Sequence, residues 1–263
     1  MVSPAWIISF EVRLTTSVSV IIVALSRRYG FILYCCLIAP IFTLYFIYIN
    51  VNMIDAEKNR VQIDVEIKAK LNECDIVWFG EVHGVIENYS VYMIYLPILR
   101  ELGFSKLLWE MSDYFWEKTA RSEDGRINPQ SIEFYYWLKG LESAGSFDVS
   151  FIGEREINDH ESYDKWLAKE IAEKTNGRKT ILISGNYHAG CSREGNNASS
   201  IIVERYNKKI CRICLEYKKG FYYNFGTKKF PESDSDSRPY FIESKDKIKS
   251  SDFSISIDEA RAV

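Results

Sequence analysis

Four short apolar runs, each closing on a glycine or an acidic residue, constrain this chain most. They are Asp75-Ile-Val-Trp-Phe79 before Gly80, Lys106-Leu-Leu-Trp109 before Glu110, residues 149–152 before Gly153, and residues 180–183 before Ser184-Gly185. β-branched and aromatic runs of this length read as strands. Between them, apolar positions recur at helical spacing over residues 88–102, stopping at Gly103, and helical segments cover 131–141 and 162–174. Strands alternating with helices predict an α/β fold, a largely parallel sheet with helices on both faces. A polar loop at 192–197, a helix over 201–207 and strands over 210–217 and 221–225, with Gly220 in the turn, extend the pattern. Residues 231–237 are acidic and Ser-rich, so 231–263 is expected to be a polar C-terminal tail. No repeat of solenoid length occurs.

The N-terminal part has a different character. No charged residue lies between Tyr29 and Ile54, and 31–49 is almost wholly apolar, about the ~20 residues that one membrane-crossing helix needs. Pro40 is tolerated in such a span, and Tyr45 and Tyr48 suit its interface. Arg27 and Arg28 precede it, which places the N-terminus in the cytoplasm and the rest outside. The expected organisation is therefore a cytoplasmic leader (1–28), a single-pass transmembrane anchor (29–54), a domain (55–230) opening with a charged membrane-proximal helix, and the tail (231–263). The apolar run lacks a small-x-small cleavage pattern, so the anchor is read as uncleaved.

A net charge of −3 and a pI near 5.8 supply no basic field for nucleic acid, and the pairs Lys218-Lys219 and Lys228-Lys229 read as solvated surface. Of six cysteines, Cys35 and Cys36 fall in the apolar segment, which leaves Cys74, Cys191, Cys211 and Cys214. No dense disulfide framework follows. Cys211-Arg-Ile-Cys214 lies within a strand and lacks the second pair that a zinc site needs, so it reads as core or an opportunistic disulfide.

Functional groups of open α/β sheets gather at the carboxyl ends of the strands. Here those ends deliver Glu81, His83 and Glu87, then Glu110, then Glu154 and Arg155, then Asn186, Tyr187 and His188. Two of the chain's three histidines sit in the same pattern, Gly80-Glu-Val-His83 and Gly185-Asn-Tyr-His188. Imidazole beside carboxylate serves general-base catalysis on water or metal binding. His160, in Asn158-Asp159-His160-Glu161, reads as part of a helix start capped by Asn158 or Asp159. The aromatic clusters Phe115-Trp116 and Tyr135-Tyr136-Trp137 read as packing residues.

The block Phe79-Gly-Glu-Val-His-Gly-Val-Ile-Glu87, followed by Leu102-Gly-Phe104 and Leu107-Leu-Trp-Glu110, resembles the first motif block of the erythromycin esterase-like proteins. Their wider superfamily includes the ChaN-like haem-binding lipoproteins, the TraB/PrgY proteins and the Tiki proteases, and Ser184-Gly-Asn-Tyr-His-Ala189 is similar to its later Asn-x-His signature. The resemblance implies Glu81, His83, Glu87, Glu110 and His188 as catalytic residues, directing water at an ester, lactone or amide of a small molecule or peptide. Arg155, Asn186 and Tyr187 are expected to bind substrate. The Tiki branch implies a divalent metal (Mn, Co or Zn) on Glu81, His83 and His188. The ChaN-like branch implies the alternative, haem or ligand binding without catalysis, with Tyr89, Tyr92 or Tyr187 as axial or wall residues. A protein that keeps the motifs for packing alone is the third reading. Departures are plain: the esterases usually have one more residue between glutamate and histidine, many members carry an aspartate where this chain has Glu154, and the chain is much shorter than the macrolide esterases.

Overall fold

The computed structural model describes residues 63–111, 122–153, 159–192, 195–233, 239–244 and 252–263. In chain order the elements are α1 (Val65–Glu73), β1 (Ile76–Glu81), α2 (Glu87–Glu101), β2 (Lys106–Glu110), α3 (Pro129–Ser143), β3 (Asp148–Ile152), α4 (His160–Thr175), β4 (Thr180–Gly185), the single turn α5 (Asn186–Ala189), α6 (Ala198–Tyr206), β5 (Ile210–Tyr217), β6 (Phe221–Tyr223), β7 (Thr227–Lys229), β8 (Ile242–Ser244) and β9 (Asp252–Ile257). Among the described residues the main sheet has seven strands in the order β3-β2-β4-β1-β5-β9-β8, all parallel except the β8–β9 pair. The α/β architecture follows the expected alternation.

Local chemistry sets the helix starts. Asn128 accepts from the Ser131 amide at 2.9 Å while Ser131 Oγ accepts from the Asn128 amide at 3.0 Å, a capping box with Pro129 in the first turn. Asp159 caps α4 by accepting from the Ser162 amide at 2.8 Å, so the capping expected near His160 is present. Asn197 caps α6 in the same way.

Each strand of the sheet centre is buried on both sides, as parallel sheets require. One face packs Ile76, Trp78, Leu108 and Leu182 against Leu167 and Ile171 of α4 and Ile201 and Ile202 of α6. The other is aromatic: Phe79 meets Tyr92 and Tyr95 of α2, and Trp109 meets Phe134 of α3 edge-on at 5.2 Å. Trp78 Nε1 donates to Ser184 Oγ at 2.7 Å, so the one polar atom of that indole is satisfied across the β1–β4 pair.

Two expectations are corrected. Residues 231–263, read as a polar tail, contribute β8 and β9, and β9 pairs in parallel with β5 while burying Phe253, Ile255 and Ile257. The alternation Phe-Ser-Ile-Ser-Ile carries a strand period, which the acidic segment before it obscured. Residues 221–225, read as extending the sheet, instead form the separate antiparallel hairpin β6–β7. No helix among the described residues is long and apolar enough to cross a membrane, and the segment 29–54 lies outside them.

Phe134 is nearly fully buried among Tyr89, Tyr92 and Trp109. Phe134→Ala is expected to destabilise the domain by about 3–5 kcal/mol in urea unfolding, with the far-UV spectrum of the folded form unchanged.

Candidate active site

The chain leaves β1 through α2 toward β2 and leaves β4 through α5 and α6 toward β5, on opposite sides of β1. Such a reversal opens a crevice at the strand ends. In register Glu81 lies opposite Gly185, so the two Gly-x-x-H motifs meet there. They do so in different local structures, the first in a strand end and turn, the second entering α5.

Glu81 Oε1 lies 3.1 Å from His83 Nδ1. Its other oxygen accepts from the Tyr92 hydroxyl and from Asn88 Nδ2 at 3.4 Å. Asn88 also donates to the Val82 carbonyl at 2.9 Å and accepts from the Tyr217 hydroxyl at 2.7 Å. Burial, reinforced by the Glu81 carboxylate, pushes the Tyr92 and Tyr217 phenols far above their ordinary range, so both remain neutral donors. After His83 the chain turns through Gly84 at φ +72°, where a Cβ would strike the Tyr223 carbonyl oxygen at 1.9 Å.

His188 forms a second dyad: its Nδ1 lies 2.8 Å from Oδ1 of Asp164, a fully buried residue of α4. Glu110, at the end of β2, sits beside it. Its Oε1 accepts from the Tyr163 hydroxyl at 2.7 Å and lies 3.9 Å from His188 Nε2 and 3.8 Å from Arg126 Nη1. The other oxygen accepts from the Gly185 amide at 3.2 Å. Burial alone would raise Glu110, yet His188 and Arg126, with His83 and the Tyr163 hydroxyl, hold it below its ordinary value. Burial alone would lower His188, but the hydrogen bond to Asp164 and the charges of Glu110 and Asp164 outweigh it, and its pKa is raised above 6.5.

The two imidazoles border one backbone position. A methyl group on Gly185 would lie 3.0 Å from His83 Nε2 and 3.8 Å from His188 Cδ2. Each histidine thus turns Nδ1 to its own carboxylate while His83 Nε2 faces the shared glycine.

Of the expected catalytic residues, Glu81, His83, Glu110 and His188 come together and Glu87 does not. Glu87 begins α2 and binds the Arg261 side chain at 2.6 Å and its amide at 2.8 Å, because the turn after His83 directs it to the C-terminal strap instead. The strap itself runs along 84–86 through Ile86 N to Arg261 O and Val263 N to Gly84 O. Arg155 and Glu154 lie outside the described residues. Asn186 Oδ1 accepts from Ser192 Oγ at 3.3 Å, and Tyr187 is half-buried between His160 and His188. A metal shared by Glu81, His83 and His188 does not fit. Glu81 holds the Nδ1 side of His83, away from the Nε2 that faces the shared glycine, and among the described residues no three His, Cys, Asp or Glu side chains are grouped to hold an ion. Tyr89 and Tyr92, expected at the rim for haem, are core residues with engaged hydroxyls.

Asp164, Tyr163 and Arg126 were not anticipated. Asp164 had a signal: it falls on the same helical stripe as buried Leu167, Ala168 and Ile171, where a carboxylate requires a partner. Arg126, fastened by Asp124 in a loop between β2 and α3, had none.

No family model matches the chain, and no curated protein does. Two solved structures are similar. The type III effector HopBA1 is 10% identical at a TM-score of 0.40, with 76% of this chain and 98% of that chain covered. Haem-bound ChaN of Campylobacter jejuni is 13% identical at a TM-score of 0.32, covering 58% and 85% respectively. At that distance neither likeness bears on the activity or ligand of this chain.

Because His188 is raised, its stabilising contribution is complete below 6.5 and is lost as pH rises through its folded pKa. Glu110 is lowered, so its contribution is complete above 4.5 and is lost as pH falls through its folded pKa. Urea unfolding over a pH series should therefore show both contributions intact between pH 4.5 and 6.5, with His188→Gln flattening the alkaline limb. Gly185 has an ordinary φ of −55°, so Gly185→Ala adds no backbone strain, but its methyl would press on the His83 ring at 3.0 Å and is expected to cost about 1–3 kcal/mol by overpacking. It should also shift the His83 ring resonances, since the new methyl meets Nε2.

Proposed function

We propose that the chain is a hydrolase that opens an ester, lactone or amide bond by acid–base catalysis between two histidines. The observation that carries this reading is the pair of histidine–carboxylate dyads bordering Gly185, with Glu110 ionised beside His188. Two titratable groups held in different environments are the usual requirement for an acid and a base to coexist at one pH. The motif resemblance to the esterase-like proteins points the same way.

In this reading His83, oriented by Glu81, takes a proton from water at Nε2 as the water oxygen bonds to the substrate carbonyl carbon. The carbonyl electron pair moves onto its oxygen. Collapse of that intermediate restores the carbonyl and breaks the bond to the leaving oxygen or nitrogen, which takes a proton from His188 Nε2. Solvent then returns His83 to its neutral form and His188 to its protonated form. Asp164 holds the His188 ring and favours its protonated state; His188 and then Arg126 keep Glu110 ionised. The reading places the domain outside the cytoplasm behind the 29–54 anchor. The disulfides Cys74–Cys211 and Cys191–Cys214 support an oxidising compartment.

The test is hydrolysis of a panel of p-nitrophenyl and alkyl esters, lactones and peptide amides by the full chain. His83→Ala is expected to lower kcat/KM by about 10²–10⁴-fold, the range for removing a general base, without loss of fold. A wild type that turns over nothing in the panel but develops a Soret band with haem would sink the proposal in favour of ligand binding.

A further inference from the structure

The second histidine stands on a support that cannot hold itself. α5 has four residues, a single turn, and turns of that length have no independent stability. Its N-terminal end is fixed by β4. Its C-terminal end is closed by Gly190 at φ +82° and by the Cys191 amide donating to the Asn186 carbonyl at 2.9 Å. Cys191 is then covalently bound to Cys214 of β5, with Cα atoms 5.5 Å apart.

The position of that bond ties both motifs together. Cys214 lies opposite Gly80 in the β1–β5 register, and a methyl group on Gly80 would stand 2.7 Å from Cys191 Sγ. β1 therefore passes against the disulfide at the glycine that opens the first motif, one residue before Glu81. The other disulfide, Cys74–Cys211, joins the end of α1 to the beginning of β5, opposite Val77 and away from the strand ends. The same strand carries two covalent staples, and only one of them reaches the loop that presents His188.

We infer that the Cys191–Cys214 disulfide is a positioning element for His188, holding the α5 turn so that the imidazole faces Gly185 and Glu110, and that the oxidised pair is needed for full activity. The functional part of this inference rests on the acid–base reading above. The geometric part stands apart from it.

The test compares the full chain with two double variants, Cys191→Ala/Cys214→Ala and Cys74→Ala/Cys211→Ala. Ester turnover and the His188 ring resonances, assigned with His188→Gln, are measured for each. Loss of the rim pair is expected to lower kcat at least tenfold with KM within twofold, and to move and broaden the His188 resonances. Loss of the other pair should lower the melting temperature while kcat stays within twofold and His188 is unmoved. Unchanged His188 resonances and kcat in the rim variant overturn the inference, as does an equal kcat loss in both variants, which marks general loosening. If the wild type turns over none of the ester, lactone and amide panel, the hydrolase reading fails while the resonances still decide the positioning role. Should the rim variant not fold, dithiothreitol applied to the folded chain replaces it. Each protein disulfide becomes two thiols as the dithiol closes to its cyclic disulfide, and alkylation with mass analysis identifies the reduced pair. Displacement of His188 must then track alkylation of Cys191 and Cys214, and displacement without it overturns the inference.

Discussion

The parallel pairing of β1 with β4 is the constraint on which the rest depends. Its register sets Glu81 opposite Gly185 and so brings together two motifs a hundred residues apart in the chain. Side chains alternate along a strand, so a slip by one residue would turn Glu81 away from Tyr92 and Asn88 and Trp78 away from Ser184. Burial of both faces at Phe79 and Trp78 makes that slip costly, because each ring would trade its fitted surroundings for those of the other face.

The two dyads draw on opposite faces of the sheet. Glu81 is held from the side of α2 by Tyr92 and Asn88, and the Tyr217 hydroxyl closes that network. His188 and Glu110 are held from the side of α4 by Asp164 and Tyr163. Each carboxylate is buried and hydrogen-bonded, as a charge removed from water must be. The asymmetry has a chemical consequence. His188, hydrogen-bonded to Asp164 and beside Glu110, is biased toward its charged form, and the ring of His83 is oriented by Glu81.

The C-terminal residues contribute to the same rim from a distance in sequence. Strand β9 covers β5, and the strap that follows lies along the turn after His83, fastened by Arg261 to Glu87. Glu87 is thus part of the scaffold that fixes the histidine turn. Its spacing of four residues from His83 would place the two on one face only if the intervening residues were helical, and they form a turn at Gly84 instead.

Periodicity and punctuation by themselves determined the strands β1 to β5, the helices between them, the parallel α/β class and the strand ends as the place where Glu81, His83, Glu110 and His188 gather, because local hydrophobic pattern and capping chemistry are written residue by residue. The partners of those residues were decided only by tertiary structure. Asp164 reaches His188 because α4 packs over β2 and β3 and against α6, Arg126 reaches Glu110 because its loop packs against the Gly84 turn and Tyr223, and Cys211 and Cys214 each bond to a distant cysteine because residues three apart on a strand face opposite sides. Such contacts depend on how elements pack and cross, which no window of sequence contains.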